Sequence, residues 1–325
     1  MWYADQVEQY LCTLFGVTKP KDLKFTPISK YAAARIKPEH RIKEKIAVLY
    51  ADGEIVVEGT DKQISGIKFS KTLEKVRKDS TIKAVVLRVN SPGGSARASE
   101  MIHRELCLLK EVKPVIASYG NYAASGGYWI SAKADKIFTN KSTITGSIGV
   151  FSLIPNISKT MKKHLHLNTV TIKTNQHGDV MSGMRALDNA EKDYMQNMIN
   201  KIYTSFTALV AEGRNMSVEQ VDMIGQGRVW AGSDALDIGL ADMEGGLVDA
   251  ISYAAEMAGL SKYRIVEYPQ VKSTLEKLME SMSQTSTDLE TIADPLTYIE
   301  RAYARLKEET EAVNYARLPV IYDIK

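Results

Sequence analysis

Cysteine is nearly absent: the 325 residues hold two, Cys12 and Cys107. They form neither a disulfide framework nor a metal-ligand spacing, and a lone pair of this kind is most often core filling. Long apolar runs are also missing. No stretch approaches the eighteen or so residues that a membrane-spanning helix needs, and no secretory signal follows Met1. Charge of one sign is scarce. A net charge of +3 from 42 basic and 39 acidic residues is too small to imply nucleic acid or an anionic surface as partner. What is present, 44% hydrophobic and 25% charged residues, is the composition of a globular chain with ample material for a core.

One stretch dominates what remains. Asn121-Tyr-Ala-Ala-Ser-Gly-Gly-Tyr-Trp129 crowds small residues around a single hydroxyl, Ser125. Val115 to Ser118 before it reads as a short buried strand, and Gly126 onward reads as a helix start. A strand turning sharply into a helix with serine at the corner presents that Oγ and aims helix N–H groups at it. The Gly-x-Ser-x-Gly elbow pattern is not met, because Ala123 stands at its first glycine. A tight packing corner is the competing reading.

Around this corner the chain alternates strands and helices. Ile46 to Tyr50 reads as a strand, Asp52-Gly53 as a hairpin turn, and Ile55 to Val57 as the return strand. Ser70 is a candidate helix cap with Leu73 and Val76 facing inward. Ala84 to Val89 is a β-branched run typical of a buried parallel strand, ending in Asn90-Ser-Pro-Gly-Gly94. The following helix carries Ile102, Leu106 and Leu109 on one face, with His103 in a structural role. Lys136 to Thr139 and the stretch after Thr145 read as strands, Asn156 to His164 as a helix, and Thr169 to Lys173 as a strand. Asp188-Asn-Ala-Glu191 is a capping box. It opens a long helix with Met195, Met198, Ile199, Ile202, Tyr203, Phe206 and Leu209 on one stripe, ending near Gly213. Gly227 to Gly232 reads as a turn, and Val248 to Ala258 as a helix ended by Gly259. This pattern predicts an α/β fold with a mainly parallel sheet. Before it, residues 1–43 hold one short helix around Tyr10, Leu11, Leu14 and Phe15, followed by a polar linker. After residue 260 a Ser-, Thr-, Glu- and Lys-rich tail carries a helical stripe at Leu275, Leu278, Met279 and Met282.

Amide hydrolysis through a serine needs a base for the hydroxyl proton, two donors for the oxyanion and a place for an extended substrate. Gly93 and Gly94, free of side chains after a buried strand, are candidate oxyanion donors, with Gly126 beside the nucleophile. The base is the difficulty. His164 and His166 point to different faces and make no metal pair. His177, ahead of Asp179, is the one tempting histidine. Lys141, Lys163 and Lys173 read as surface charges. The other route is a lysine kept neutral by burial. No metal or cofactor is expected.

Asn90-Ser-Pro-Gly-Gly94, Tyr122-Ala-Ala-Ser-Gly-Gly-Tyr128, Thr145-Gly-Ser-Ile-Gly149 and Gly227 through Asp242 stand in the order and spacing of the signal peptide peptidase A (protease IV) family. The resemblance spans about residues 44–260. It implies a Clp-protease/crotonase-like fold of stacked ββα units, flanked by the 1–43 linker and a helical 261–325 extension. It implies a Ser-Lys peptidase that degrades cleaved signal peptides, with Ser125 as nucleophile and Ser147 as the hydroxyl that holds the lysine. Short members carry that lysine at the position of Gly178 here, so the base is missing. Long members are tandem duplications whose N-terminal copy supplies it. The chain therefore resembles the C-terminal half of a long member. That implies an N-terminal half as partner, a ring or dome of subunits, and an extracytoplasmic site held at the membrane by an anchor outside this chain. A non-catalytic peptide-binding scaffold of the same fold is the alternative. An acyl-CoA enzyme is disfavoured, because that chemistry needs no serine corner.

Overall fold

The computed structural model describes residues 3–27, 30–31, 42–60, 62–269 and 314–317. It divides into two units, Met1–Ile42 and Lys43–Lys325. In the first, α1 (Ala4–Phe15) ends at Gly16 in the left-handed conformation, and a single 3-10 turn follows at Pro20–Asp22. Tyr10, Leu14 and Phe15 are exposed within it. None of the described helices is long and apolar enough to cross a membrane.

The second unit begins with β1 (Lys45–Asp52), β2 (Ile55–Val56), β3 (Ile64–Ser65) and α2 (Gly66–Lys78). A similar order with one strand fewer follows as β4 (Ile82–Ser91), β5 (Gly93–Ser95) and α3 (Ala96–Lys110). Then come β6 (Val115–Ala124), α4 (Gly126–Trp129), β7 (Lys136–Thr139), β8 (Ile144–Gly146) and β9 (Phe151–Ser152). The remainder is α5 (Ser158–His164), α6 (Asn189–Arg214), α7 (Val218–Ile224), β10 (Val229–Ala231), α8 (Gly232–Asp237), β11 (Met243–Glu244), α9 (Leu247–Met257), β12 (Arg264–Tyr268) and β13 (Asn314–Arg317).

Among the described residues, the larger sheet runs β10-β8-β6-β4-β1-β12, with β7 beside β6 and β11 beside β7. All its pairs are parallel except β10 with β8. Its central strands β1, β4 and β6 are largely buried on both faces, as a parallel sheet between two helical layers requires. Alternate residues serve opposite layers. Leu49, Leu87 and Ala117 join the core under α2 and α3, while Val48, Val86 and Ile116 pack with Ala250, Ile251 and Ala254 of α9. The smaller sheet runs β3-β2-β5-β13-β9.

Several expectations change. Asp52-Gly53 is not a hairpin turn. After it β2 leaves β1 and pairs in parallel with β3 and β5, so each ββα unit sends its second strand to the smaller sheet. Ser65, not Ser70, caps α2 by accepting from the Lys68 amide at 3.3 Å. Thr169–Lys173 is not a strand: no strand among the described residues pairs with it, and Val170 and Ile172 are 87% and 97% exposed. The 227–232 turn contains β10, paired with β8. Helix α6 runs through Gly213, whose added Cβ would lie 2.4 Å from Ala132 O, and ends at Asn215 in the left-handed region. The described part of 261–325 is strand, not helix. Ile265 and Val266 lie in β12, which extends the main sheet beyond β1. The Leu275–Met282 stripe lies outside the described residues.

Candidate active site

Strand β6 and helix α4 meet at Ser125, as the sequence suggests. The residue is fully buried, and its φ of 52° and ψ of −115° place it in a strained corner. The corner is held from both sides. Ser125 N donates to Gly146 O at 2.9 Å, and Trp129 N donates to Ser125 O at 2.8 Å. Ser125 Oγ donates to Gly149 O at 3.4 Å, a long contact.

Ser147 follows directly on β8, two residues from that carbonyl. It is 2% exposed, has a φ of 49°, and is pinned by donation from its N–H to Arg228 O at 2.7 Å. A 480 Å³ cavity opens beside it, lined also by Gly149, Ile199, Asn200 and Gln226. The structure thus brings Ser125 and Ser147 onto one short stretch of backbone, through Gly146 and Gly149.

The three glycines stand as follows. Gly126 opens α4 and supplies one of the helix-start amides that have no intrahelical partner. Gly93 N–H already points at Ser91 Oγ, at 3.1 Å. Gly94 lies in β5 at a φ of 155°, where an added Cβ would fall 2.0 Å from Ile55 O. Glycine is obligatory there because β2 runs against it. Ser91, fully buried, was not singled out in the sequence, yet it fixes the Gly93 amide.

The outer side of β5 carries β13. Tyr315, Ala316 and Arg317 run antiparallel to Ser95, Gly94 and Gly93, and Asn314 and Tyr315 run antiparallel to Ser152 and Phe151 of β9. This strand is an extended segment seated between β5 and β9, next to the nucleophile corner.

Among the described residues, no amine or imidazole is hydrogen-bonded to Ser125 Oγ. Lys173 is engaged by Asp179 at 2.9 Å, and Lys141 by Glu244 at 3.6 Å. Lys163 lies exposed on α5. His177 Nδ1 meets Glu191 Oε1 at 2.9 Å. His177, Asp188 and Glu191 are close enough together to hold a metal ion. However, the Arg185 guanidinium occupies both Glu191 oxygens, at 2.6 and 2.7 Å, which leaves that carboxylate already compensated. His103 is buried on α3 with Cys107 Sγ 3.3 Å from its Nε2. Burial drives it neutral, with a pKa lowered to about 4. At Gly178, where the resemblance puts the missing base, an added Cβ would meet Asn175 Oδ1 at 3.3 Å and Lys173 Cβ at 3.4 Å.

A second cavity of about 820 Å³ lies on the other side of α4, between α3 and α6. Ser95, Ala96, Trp129 and Leu209 are among the residues that line it.

Residues 108–261 match the model of peptidase family S49. Protease 4 of Salmonella typhi is 38% identical over 279 residues, covering 85% of this chain and 44% of that protein. A protein of Enterococcus faecium provisionally named signal peptide peptidase SppA is 34% identical over 231 residues, 69% of this chain and 67% of its own length. Among solved structures, a ClpP1 mutant from Listeria monocytogenes aligns over 63% of this chain and 94% of its own, with 18% identity and a TM-score of 0.43. The chain spans about half the length of the Protease 4 it matches. The match over 108–261 and the coverage of the Enterococcus relative together make this chain a member of the signal peptide peptidase A branch of peptidase family S49.

Proposed function

We propose that this chain is the serine-bearing half of a Ser-Lys peptidase that hydrolyses peptide bonds of cleaved signal peptides, its lysine coming from an N-terminal copy of the same fold. The observation that carries the reading is β13. A short extended segment pairs with both β5 and β9 beside Ser125, which is how a substrate held by strand addition is bound. Main-chain pairing of that kind suits hydrolysis of peptides with little side-chain identity in common. In the reaction, Ser125 Oγ passes its proton to the lysine amine as it attacks the scissile carbonyl. The oxyanion forms against backbone N–H groups, for which this reading assigns the Gly126 amide at the start of α4 and those of Gly93 and Gly94, the Gly93 amide having first to leave Ser91 Oγ. The amine then returns the proton to the leaving nitrogen.

By the same reading the active enzyme is an oligomer of full-length chains, anchored at the membrane and acting on its extracytoplasmic side. A fluorophosphonate probe on the full-length protein tests the assignment. Labelling confined to Ser125 and absent in Ser125→Ala is expected. A probe that leaves Ser125 untouched while the protein cleaves peptides would refute it and favour a scaffold role for this half.

A further inference from the structure

Strand β4 ends on Ser91. Pro92 brings no N–H, so Gly93 N–H is the first backbone donor after the strand, and Ser91 Oγ accepts it at 3.1 Å. Both residues are buried, Ser91 completely. Gly93 stands at a φ of 97°, a conformation that glycine takes without steric cost. Among the described residues this is the one hydrogen bond that Ser91 Oγ makes. The donor it occupies is one that the peptidase reading needs for the oxyanion.

Ser91 also touches the other arm of the corner. It is in register with Ala123 of β6, two residues before Ser125, after a register shift that follows Val89. A Cβ on Gly127 would lie 2.7 Å from Ser91 O and 3.2 Å from Ser91 Cβ, so α4 packs directly on this residue. Ser91 thus lies against both the Gly93 amide and the helix start that carries the Gly126 amide.

The relative strengths of three acceptors decide what this contact does. When a substrate carbonyl arrives, the Gly93 amide exchanges one neutral acceptor for another, and such an exchange yields almost nothing. An oxyanion is a charged acceptor, and hydrogen bonds to it are roughly twice as strong. The hydroxyl therefore cancels the attraction of this amide for the bound ground state. The surplus that appears only in the transition state remains, and that surplus is what accelerates a reaction.

We infer that Ser91 is a positioning residue for the reaction: its hydroxyl occupies the Gly93 amide in the resting site and yields it to the oxyanion. The inference rests on the Ser-Lys reading above. It adds to that reading a residue that sets how tightly the ground state is held, separately from how fast it reacts.

The test is steady-state cleavage of a slowly turned-over fluorogenic peptide, for which KM reports binding, by the full-length protein carrying Ser91→Ala. In that variant the resting amide has no acceptor, so the substrate carbonyl gains a whole hydrogen bond on binding. KM is expected to fall about fivefold, the worth of one neutral hydrogen bond. The value of kcat/KM rises by the same factor, with the gain absent from kcat. Ser91→Cys, whose thiol is a weaker acceptor, is expected to lower KM by about twofold. Circular dichroism melts check that both variants are folded, and Ser91→Cys carries the test alone if Ser91→Ala is not. A fall in kcat with KM unmoved would mean that Ser91 only shapes the loop. Unchanged constants would mean that the Gly93 amide takes no part. Either result overturns the inference, while fluorophosphonate labelling of Ser125 in the same variants keeps the peptidase reading standing. If Ser125 is not labelled even in the unaltered full-length protein, both fail together.

Discussion

Ser147 sits at a φ of 49°, and its buried hydroxyl makes no hydrogen bond among the described residues. A non-glycine residue in that region costs about 1 kcal/mol, which glycine does not incur. Ser147→Gly is therefore expected to leave stability unchanged or raise it by up to about 1 kcal/mol in a denaturant melt, while slowing Ser125 labelling in the full-length protein. A loss of both stability and labelling would mean that the hydroxyl is structural. His103 gives a second residue-scale prediction. Its folded pKa is lowered to about 4, from an unfolded value near 6.5. The folded state thus binds fewer protons than the unfolded one between those limits. Its stability is complete above about 6.5 and falls as pH drops towards 4, by up to about 3 kcal/mol. His103→Leu should flatten the melting profile over that window. Residue identities alone made Ser125 legible, because small neighbours and the flanking apolar strand mark a corner. Gln226 was not legible: an asparagine- or glycine-like conformation in a glutamine is set by the Tyr203 hydroxyl 23 positions away, which no local pattern reports.

At the scale of elements, α6 was readable from its first turn. Asp188 accepts from Glu191 N at 2.8 Å, and Glu191 accepts from Asp188 N at 2.9 Å, the reciprocal pair that the sequence spells out. What could not be read is that the same Glu191, with Asp179, clamps Arg185 and so ties the 173–185 loop to the helix start. Hydrogen bonds from Arg185 hold both carboxyls well below the usual carboxylate range. A depressed folded pKa contributes stability above the unfolded pKa and loses it as pH falls, so this clamp should loosen once pH drops below about 4. Limited proteolysis between pH 7 and pH 3 should show new cleavage within 173–188 before the parallel sheet opens. Cleavage there at both pH values would mean that the clamp holds nothing. The misread elements share a cause. Asp52-Gly53 has hairpin chemistry and Thr169–Lys173 has strand alternation. Strand pairing, however, is decided by which edge lies alongside, and here β5 recruits β2 while, among the described residues, no strand pairs with 169–173.

For the whole molecule, the decisive arrangement is two sheets that share their strand order with the ββα repeat and leave a slot between β5 and β9. Period and β-branching reveal the main sheet, since its central strands β1, β4 and β6 are buried over most of their length. The slot is invisible in sequence, because β5 and β9 are three and two residues long. In this structure the chain's own β13 fills the slot, and Ser125 is wholly enclosed with it in place. A substrate strand and β13 need the same main-chain partners on Gly94 and Phe151, so they must compete. Ala316 pairs with Gly94 at the middle of β13, and proline there removes a backbone donor and breaks the ladder. Ala316→Pro should therefore raise amide exchange at 93–95 and 151–152 while leaving β1, β4 and β6 protected. It should also let an added extended peptide restore that protection at lower concentration than in the unaltered chain. Unchanged exchange at both strands would mean that β13 does not hold the slot in solution. Raised exchange that no peptide reverses would mean that the slot is not where substrates bind, and the support for strand-wise substrate capture would fall with it.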